Sequence, residues 1–247
     1  MPLAPDIQSR LRAAVRQFWT VRKRQSAKQG GRSGTRDAGE RAAVTGGAQM
    51  DGFVGLVREL LCECGMARAS VHCESHLELP GWYRAEKQWD LIVISDGAFL
   101  AGIEFKSQVG PSFGNNFNNR SEEALGSATD LWAAYREGAF RPSSRPWLGY
   151  LMLLEDCPSS NAPVRSREPH FRVFDEFRNA SYAKRYELLL TKMVRERMYD
   201  SVCLLLARGE ADRYGEYREP SEELRFEAFI ASLLAKALAA GRASNRG

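Results

Sequence analysis

Large apolar residues recur every three or four positions from Ile7 through Leu11, Val15, Phe18 and Val21, a spacing that a helix gathers on one face. Asp6 stands where such a helix needs a cap. Residues 26–47 then turn to Gly, Ser, Thr, Arg and Ala with scarcely a large apolar side chain, so they cannot help to build a core and predict a mobile loop. Met50, Phe53, Val54, Val57, Leu60 and Leu61 restore the helical period, and Gly65 can take the positive φ that suits a helix end. After that the period shortens to two. Residues 69–75, 89–95 and 99–108 read as strands, with Asp96-Gly97 a hairpin turn signal between the last two. Residues 121–137 predict a helix, 147–155 a buried strand, 157–169 a Pro/Ser-rich surface loop and 181–199 a helix. A short strand at 202–207 and a final helix at 221–240 complete the chain. The sum is an α/β fold, a mixed central sheet flanked by helices, in one domain over residues 1–247.

Composition narrows the class. Hydrophobic residues at 44% and charged residues at 27% fit a globular protein, and no stretch approaches the ~20 apolar residues needed to cross a bilayer. The first 25 residues scatter arginines through an amphipathic pattern with no central apolar block, so no secretory signal and a cytoplasmic location are expected. Five cysteines are present, and the one close pair, Cys62 and Cys64, is CxC and not the CxxC of zinc sites; reduced, buried thiols are expected. His72 and His76 stand four apart, about 13 Å along an extended strand. An imidazole-built site is therefore not expected, and any metal should be hard and oxygen-bound. The net charge of +4 says little, but its distribution says more. Ten Lys or Arg lie between Arg10 and Arg41 against two acids, Asp37 and Glu40, and Lys28, Arg32 and Arg36 are candidates for phosphate contact. A solvated helix face followed by a tail would give the same count.

The candidate chemistry sits on two strands. Asp90 opens the apolar run Leu91-Ile92-Val93-Ile94, and the strand after the hairpin carries Glu104-Phe105-Lys106. Alternation puts Glu104 and Lys106 on one face, with Ile103 and Phe105 on the other facing the core. A hairpin can bring Asp90 beside them. Two close carboxylates both ionise at neutral pH only with a cation between them, and oxygen ligands suit Mg²⁺. A metal so held, with a lysine nearby, suits phosphodiester hydrolysis. A bare Glu-x-Lys is in most proteins a surface ion pair. Asp90 on the partner strand and the apolar flanks argue against that, since unpaired charge inside a fold is costly. Glu59, Glu63 and Glu78 are further acids that could approach the metal.

Asp90 followed by Glu104-Phe105-Lys106 resembles the PD-(D/E)xK nuclease core, with Trp89 where proline is usual. The block from Ser107 to Trp132, with Gly114-Asn115-Asn116-Phe117-Asn118-Asn119-Arg120, resembles the XhoI-type type II restriction endonucleases, as do Leu79-Pro80-Gly81-Trp82-Tyr83-Arg84 and Trp132-Ala133-Ala134-Tyr135-Arg136. The resemblance implies a restriction-endonuclease-like fold and Asp90, Glu104 and Lys106 as catalytic residues. It also implies Mg²⁺ held by Asp90, Glu104 and the Phe105 backbone carbonyl, and a homodimer cutting double-stranded DNA at the palindrome CTCGAG. A cognate DNA methyltransferase acting on the same site is implied as well.

The asparagines carry meaning without the family. Asn115, Asn116, Asn118, Asn119 and Arg120 read as a loop after the catalytic strand whose amides and guanidinium can read base edges in the major groove. A connector whose Asn and Gly tolerate positive φ would look the same. Ser121, Glu122 and Glu123 then read as the start of the following helix, although either glutamate could accept from cytosine. Two rivals share parts of the pattern: another nuclease of the same core, for repair or junction resolution, and a non-catalytic DNA-binding protein. The second has no use for two carboxylates beside a phosphate. Deleting residues 28–41 is expected to weaken duplex binding and to flatten its salt dependence by about 0.9 in log–log slope per lost phosphate contact, read from binding isotherms at several salt concentrations.

Overall fold

A computed structural model describes residues 5–30 and 48–244, with backbone alone at 26–30 and 242–244. Helix α1 is Ile7–Gly30 and α2 is Asp51–Glu63. Strands β1 (Val71–His72), β2 (Glu78–Pro80), β3 (Glu86–Gln88), β4 (Leu91–Ser95) and β5 (Ala98–Gln108) follow, then α3 (Phe113–Arg136) and β6 (Trp147–Glu155). The chain ends through a single helical turn α4 (Pro158–Asn161), α5 (Tyr182–Arg195), β7 (Ser201–Ala207), β8 (Tyr217–Arg218) and α6 (Phe226–Ser244). Six strands form one sheet in the order β1-β4-β5-β6-β7-β8, while β2 and β3 pair separately as a small hairpin. β5, β6 and β7 run parallel and the outer pairings are antiparallel. This is the mixed central sheet flanked by helices that the periodicity predicts.

Strand alternation feeds two cores. Leu91, Val93, Ile103, Phe105, Leu151, Leu153, Cys203 and Leu205 pack under α1, α2 and α6. Ile92, Tyr150, Met152, Leu154, Val202, Leu204 and Leu206 face α3 and α5. β5, β6 and β7 are therefore covered on both faces, which is why they read as nearly continuous apolar runs. The Gly65 helix stop holds: its φ is +100° and its N–H reaches the Cys62 carbonyl at 3.0 Å.

Several expectations need correction. Residues 26–30 belong to α1 and not to the predicted loop, and residues 31–47, including Arg32 and Arg36, lie outside the described residues, as does the Lys28 side chain. The expected strand at 69–75 is a 3₁₀ turn at Arg68–Ser70 and a two-residue β1, after which His76 takes φ +58°. The fold brings the His72 and His76 rings to 6.5 Å, half the extended-strand figure. Even so, no group of three or more His, Cys, Asp or Glu residues able to hold a metal occurs among the described residues. All five cysteines are free; Cys203 is buried and the other four are half-buried. No helix among the described residues is long and apolar enough to cross a membrane.

The β2–β3 hairpin is held to α3 by one buried carboxylate. Asp130 Oδ1 accepts from the Trp82 and Tyr83 amides at 2.8 Å each, and Oδ2 takes Arg84 Nε at 2.6 Å. Backbone approaches so closely that a Cβ on Gly81 would lie 2.6 Å from Asp130 Oδ2. The clamp leaves Trp82 54% and Tyr83 72% exposed, outside the core that a tryptophan would be expected to join. Burial pushes the Asp130 carboxyl up, but the Tyr83 amide, Arg84 and the Trp82 amide together hold it below its ordinary value. A depressed carboxyl stabilises the fold above its unfolded pKa, about 3.9. That contribution is lost as pH falls through the lower folded value. Asp130→Asn is expected to cost about 1–3 kcal/mol at neutral pH. In urea unfolding, the gap to wild type should close below about pH 4.

Candidate active site

The hairpin turn sets the site. Asp96 and Gly97 take φ +52° and +73°, the two positive angles that join twisted strands through a two-residue loop. Ser95 then pairs with Ala98, and after a register shift at Val93/Ile94 the ladder reaches Leu91 opposite Ile103. Beyond that point β4 ends, and Asp90 turns its side chain onto the exposed edge of β5. Asp90 Oδ2 accepts from the Phe105 amide at 2.8 Å and lies 3.1 Å from Lys106 Nζ. Lys106 Nζ also lies 3.2 Å from Glu104 Oε2, so one ammonium bridges both carboxylates. The three residues singled out in the sequence therefore meet.

Glu104 is only 1% exposed. Its Oε1 stands 2.6 Å from Lys87 Nζ, which also lies 4.2 Å over the Trp89 ring. Oε1 is buried, and this ammonium is the charge that compensates it. Burial by itself would raise the Glu104 carboxyl, but the charges of Lys106 and Lys87 outweigh it and hold the group below its ordinary value. Burial would likewise lower Lys106, and Glu104 and Asp90 more than reverse that. Lys87 was not singled out in the sequence. The available signal was its place two residues before Trp89 in a short polar strand, too common a pattern to be read.

This donor set fits a hard divalent cation. Glu104 presents a buried acceptor whose nearest groups are cations, and Asp90 comes from the adjoining strand. Because the N–H and C=O of a strand residue point the same way, the Phe105 carbonyl faces the same gap as its amide. Two carboxylates and one carbonyl leave room for the waters that Mg²⁺ keeps. A cavity of about 410 Å³ opens there, lined by Asp90, Phe105, Lys106, Arg120 and Asp51 among others. Asp51 begins α2, and burial pushes its carboxyl up. Of the other acids considered, Glu59 and Glu63 are each engaged by Arg10 at 2.9 Å, and Glu78 lies exposed on β2. A larger cleft of about 800 Å³ between α3 and α5, lined by Trp132, Arg145 and Arg197, holds none of the candidate catalytic, metal or DNA-contacting residues.

The asparagine segment is not a loop. Asn115, Asn116, Asn118, Asn119 and Arg120 form the first turns of α3, which starts at Phe113, eight residues earlier than expected. Low asparagine propensity is overridden by aromatic anchors one turn apart. Phe113 stacks on Tyr182 at 5.8 Å, and Phe117 meets the Tyr186 ring at 5.0 Å. Ser121 Oγ accordingly bonds back to the Phe117 carbonyl at 2.8 Å and caps nothing. Glu122 and Glu123 lie inside the helix. Asn115, Asn118 and Asn119, at i, i+3 and i+4, share one exposed face. Arg120 faces the site instead, lining a cavity with Lys87, Glu104 and Lys106 while pairing with Glu123 at 2.5 Å.

Gln108, another residue the sequence did not flag, ties this helix to the catalytic strand. It shares a face with Glu104 and Lys106, is buried, donates to the Phe113 carbonyl at 2.8 Å and accepts from the Tyr186 hydroxyl. A stability prediction follows from Lys87. Lys87→Met is expected to cost about 1–3 kcal/mol by leaving Glu104 under-compensated. In a double-mutant cycle, Lys87→Met combined with Glu104→Gln should cost measurably less than the two single changes added together.

Comparison with known proteins finds relatives over most of the chain. A family model described as restriction endonuclease XhoI matches residues 28–219. The type II restriction enzyme BstVI of Geobacillus stearothermophilus is 53% identical over 204 residues, covering 81% of this chain and 91% of that protein. AbrI of Azospirillum brasilense is 51% identical over 68% of this chain and 75% of its own length. XhoI of Xanthomonas vasicola is 44% identical over 74% and 73%. No solved structure matches. The mixed sheet flanked by helices is consistent with a restriction-endonuclease-like fold. By this sequence match over most of its length, the chain belongs to the XhoI family of type II restriction endonucleases.

Proposed function

We propose that this chain acts as one endonuclease domain that cuts double-stranded DNA at a short palindrome, CTCGAG being the candidate that membership in the XhoI family puts first. One observation supports the chemistry above all: Lys106 Nζ lies within 3.2 Å of carboxylates from two different segments, Asp90 and Glu104. In a DNA-binding protein without catalysis such acids would only repel the phosphate.

Asp90, Glu104 and the Phe105 carbonyl would hold Mg²⁺. The bound ion would supply Lewis acidity to the scissile phosphoryl group and to the attacking water. The chain's own groups do the rest. The Phe105 amide fixes the Asp90 carboxylate through a hydrogen bond, so its orientation does not depend on substrate. Lys87 and Lys106 keep Glu104 ionised inside the fold. Lys106, raised and so charged at neutral pH, offers its ammonium to the water and to the negative charge that develops on the phosphate. Asn115, Asn118 and Asn119 would reach base edges from the exposed face of α3, with Asn116 and Arg120 nearer the cut strand.

A palindrome is read most simply by two copies of the chain, each cutting one strand, as a homodimer whose two-fold axis coincides with that of the site. The enzyme would act in the cytoplasm, and a DNA methyltransferase of the same specificity would protect the host's own sites. Incubation with plasmid and Mg²⁺ should give fragments with discrete ends at one sequence; random ends would refute the reading. Glu104→Ala and Lys106→Ala should each abolish this cutting, while specific duplex binding persists with Ca²⁺ in place of Mg²⁺. Full activity in either variant would remove the proposed mechanism.

A further inference from the structure

The chain leaves β6 at the same sheet edge as the catalytic residues. β5 and β6 are parallel, with Lys106 beside Met152 and Gln108 beside Leu154, so the segment after Glu155 emerges beyond the carboxyl end of β5. Residues 162–180 of that segment carry Arg165, Arg167, Arg172 and Arg178, with Phe171 89% and Phe174 75% exposed. Both rings are therefore available to a partner.

The segment is tied down. Arg185 Nη2 donates to the Val164 carbonyl at 3.2 Å and to Ser166 Oγ at 3.4 Å, and Glu168 Oε1 accepts from the Val173 amide at 3.1 Å. Its acids are used internally. Glu168 and Asp175 pair with Arg178 at 3.4 and 3.2 Å, and Glu176 pairs with Lys192 at 2.8 Å. Arg165, Arg167 and Arg172 are exposed and have no acidic partner among the described residues. Two of them, Arg165 and Arg167, line an open cavity of about 1030 Å³. Glu168 lines the same cavity but is paired with Arg178, so the three guanidinium groups, none of them in an ion pair among the described residues, present a net positive surface for a polyanion.

The segment is linked to the asparagine helix through α5. Arg185 lies 5.5 Å from the Tyr182 ring. Tyr182 in turn stacks on Phe113 and touches Phe117, whose centroid is 6.3 Å away, and Gly114 comes so near that a Cβ there would meet Tyr182 Oη at 2.7 Å. Arg185, which holds the segment through Val164 and Ser166, thus links it to Tyr182, against which the first turns of α3 pack. We infer that residues 162–180 form a second DNA-contacting element, in which Arg165, Arg167 and Arg172 neutralise backbone phosphates and Phe171 packs against the duplex beside them.

This inference rests on the endonuclease reading, and the test separates the two. Duplex binding is measured with Ca²⁺ at several salt concentrations, for a CTCGAG duplex and a scrambled one. The triple variant Arg165→Ala, Arg167→Ala, Arg172→Ala should bind both more weakly, with a log–log salt slope shallower by about 2.7, from about 0.9 per lost contact. Unchanged affinity and slope overturn the inference while leaving the endonuclease reading intact. A wild-type chain that neither binds nor cuts any duplex overturns both. Phe171→Trp gives a second readout free of any folding cost, since the position is exposed. Its added fluorescence should change on duplex addition. No change, or a change that follows protein concentration without DNA and so assigns the segment to a second copy of the chain, overturns the inference.

Discussion

A negative charge buried at Glu104 is the constraint on which the rest depends. An isolated carboxylate this deep in a fold would protonate or destabilise it. Here Lys106 and Lys87 approach it from two sides, and Asp90 completes the array by sharing Lys106. The arrangement needs three segments brought together: β5, β3 and the residue before β4. The two-residue turn at Asp96 and Gly97 fixes one of those registers, and the Phe105 amide locks Asp90 against the strand edge. Ammonium groups now stand where a divalent cation would also be attracted, so the same field that keeps Glu104 ionised prepares it to be a ligand.

On β5, Glu104, Lys106 and Gln108 face the α3 side, while Ile103 and Phe105 face α1, α2 and α6. That separation lets one strand serve both core and chemistry. Glu104, Lys106 and Gln108 follow each other at alternate positions, and each is tied to a different neighbour. Gln108 anchors the start of α3 and the Tyr186 hydroxyl. A buried hydrogen bond thus ties the start of α3 to the strand that carries Glu104 and Lys106.

The aromatic contacts among Phe113, Phe117, Tyr182 and Tyr186 have a second effect. They turn a segment of weak helix formers into helix, and they join it to the arginine-bearing segment 162–180 through Arg185. The groups proposed to touch DNA thus sit on elements packed together, even though they are separated by more than forty residues in the chain.

Much of this was legible in the sequence because it is local. Period-two and period-3.6 patterns locate the long strands and most helices, Asp96-Gly97 announces the hairpin, and strand alternation alone puts Glu104 and Lys106 on one face with Asp90 in reach. What the sequence could not decide depends on partners far along the chain. Residues 113–120 look like a loop until Tyr182 and Tyr186 arrive to bury Phe113 and Phe117. Lys87 is an ordinary lysine until the β2–β3 hairpin, clamped by Asp130, carries it to Glu104. Which outlying acid lines the site, Asp51 and not Glu59 or Glu63, follows from how α2 packs on the sheet and from Arg10 claiming the other two. Local propensity specifies elements, whereas burial and charge compensation between distant residues decide which of them meet.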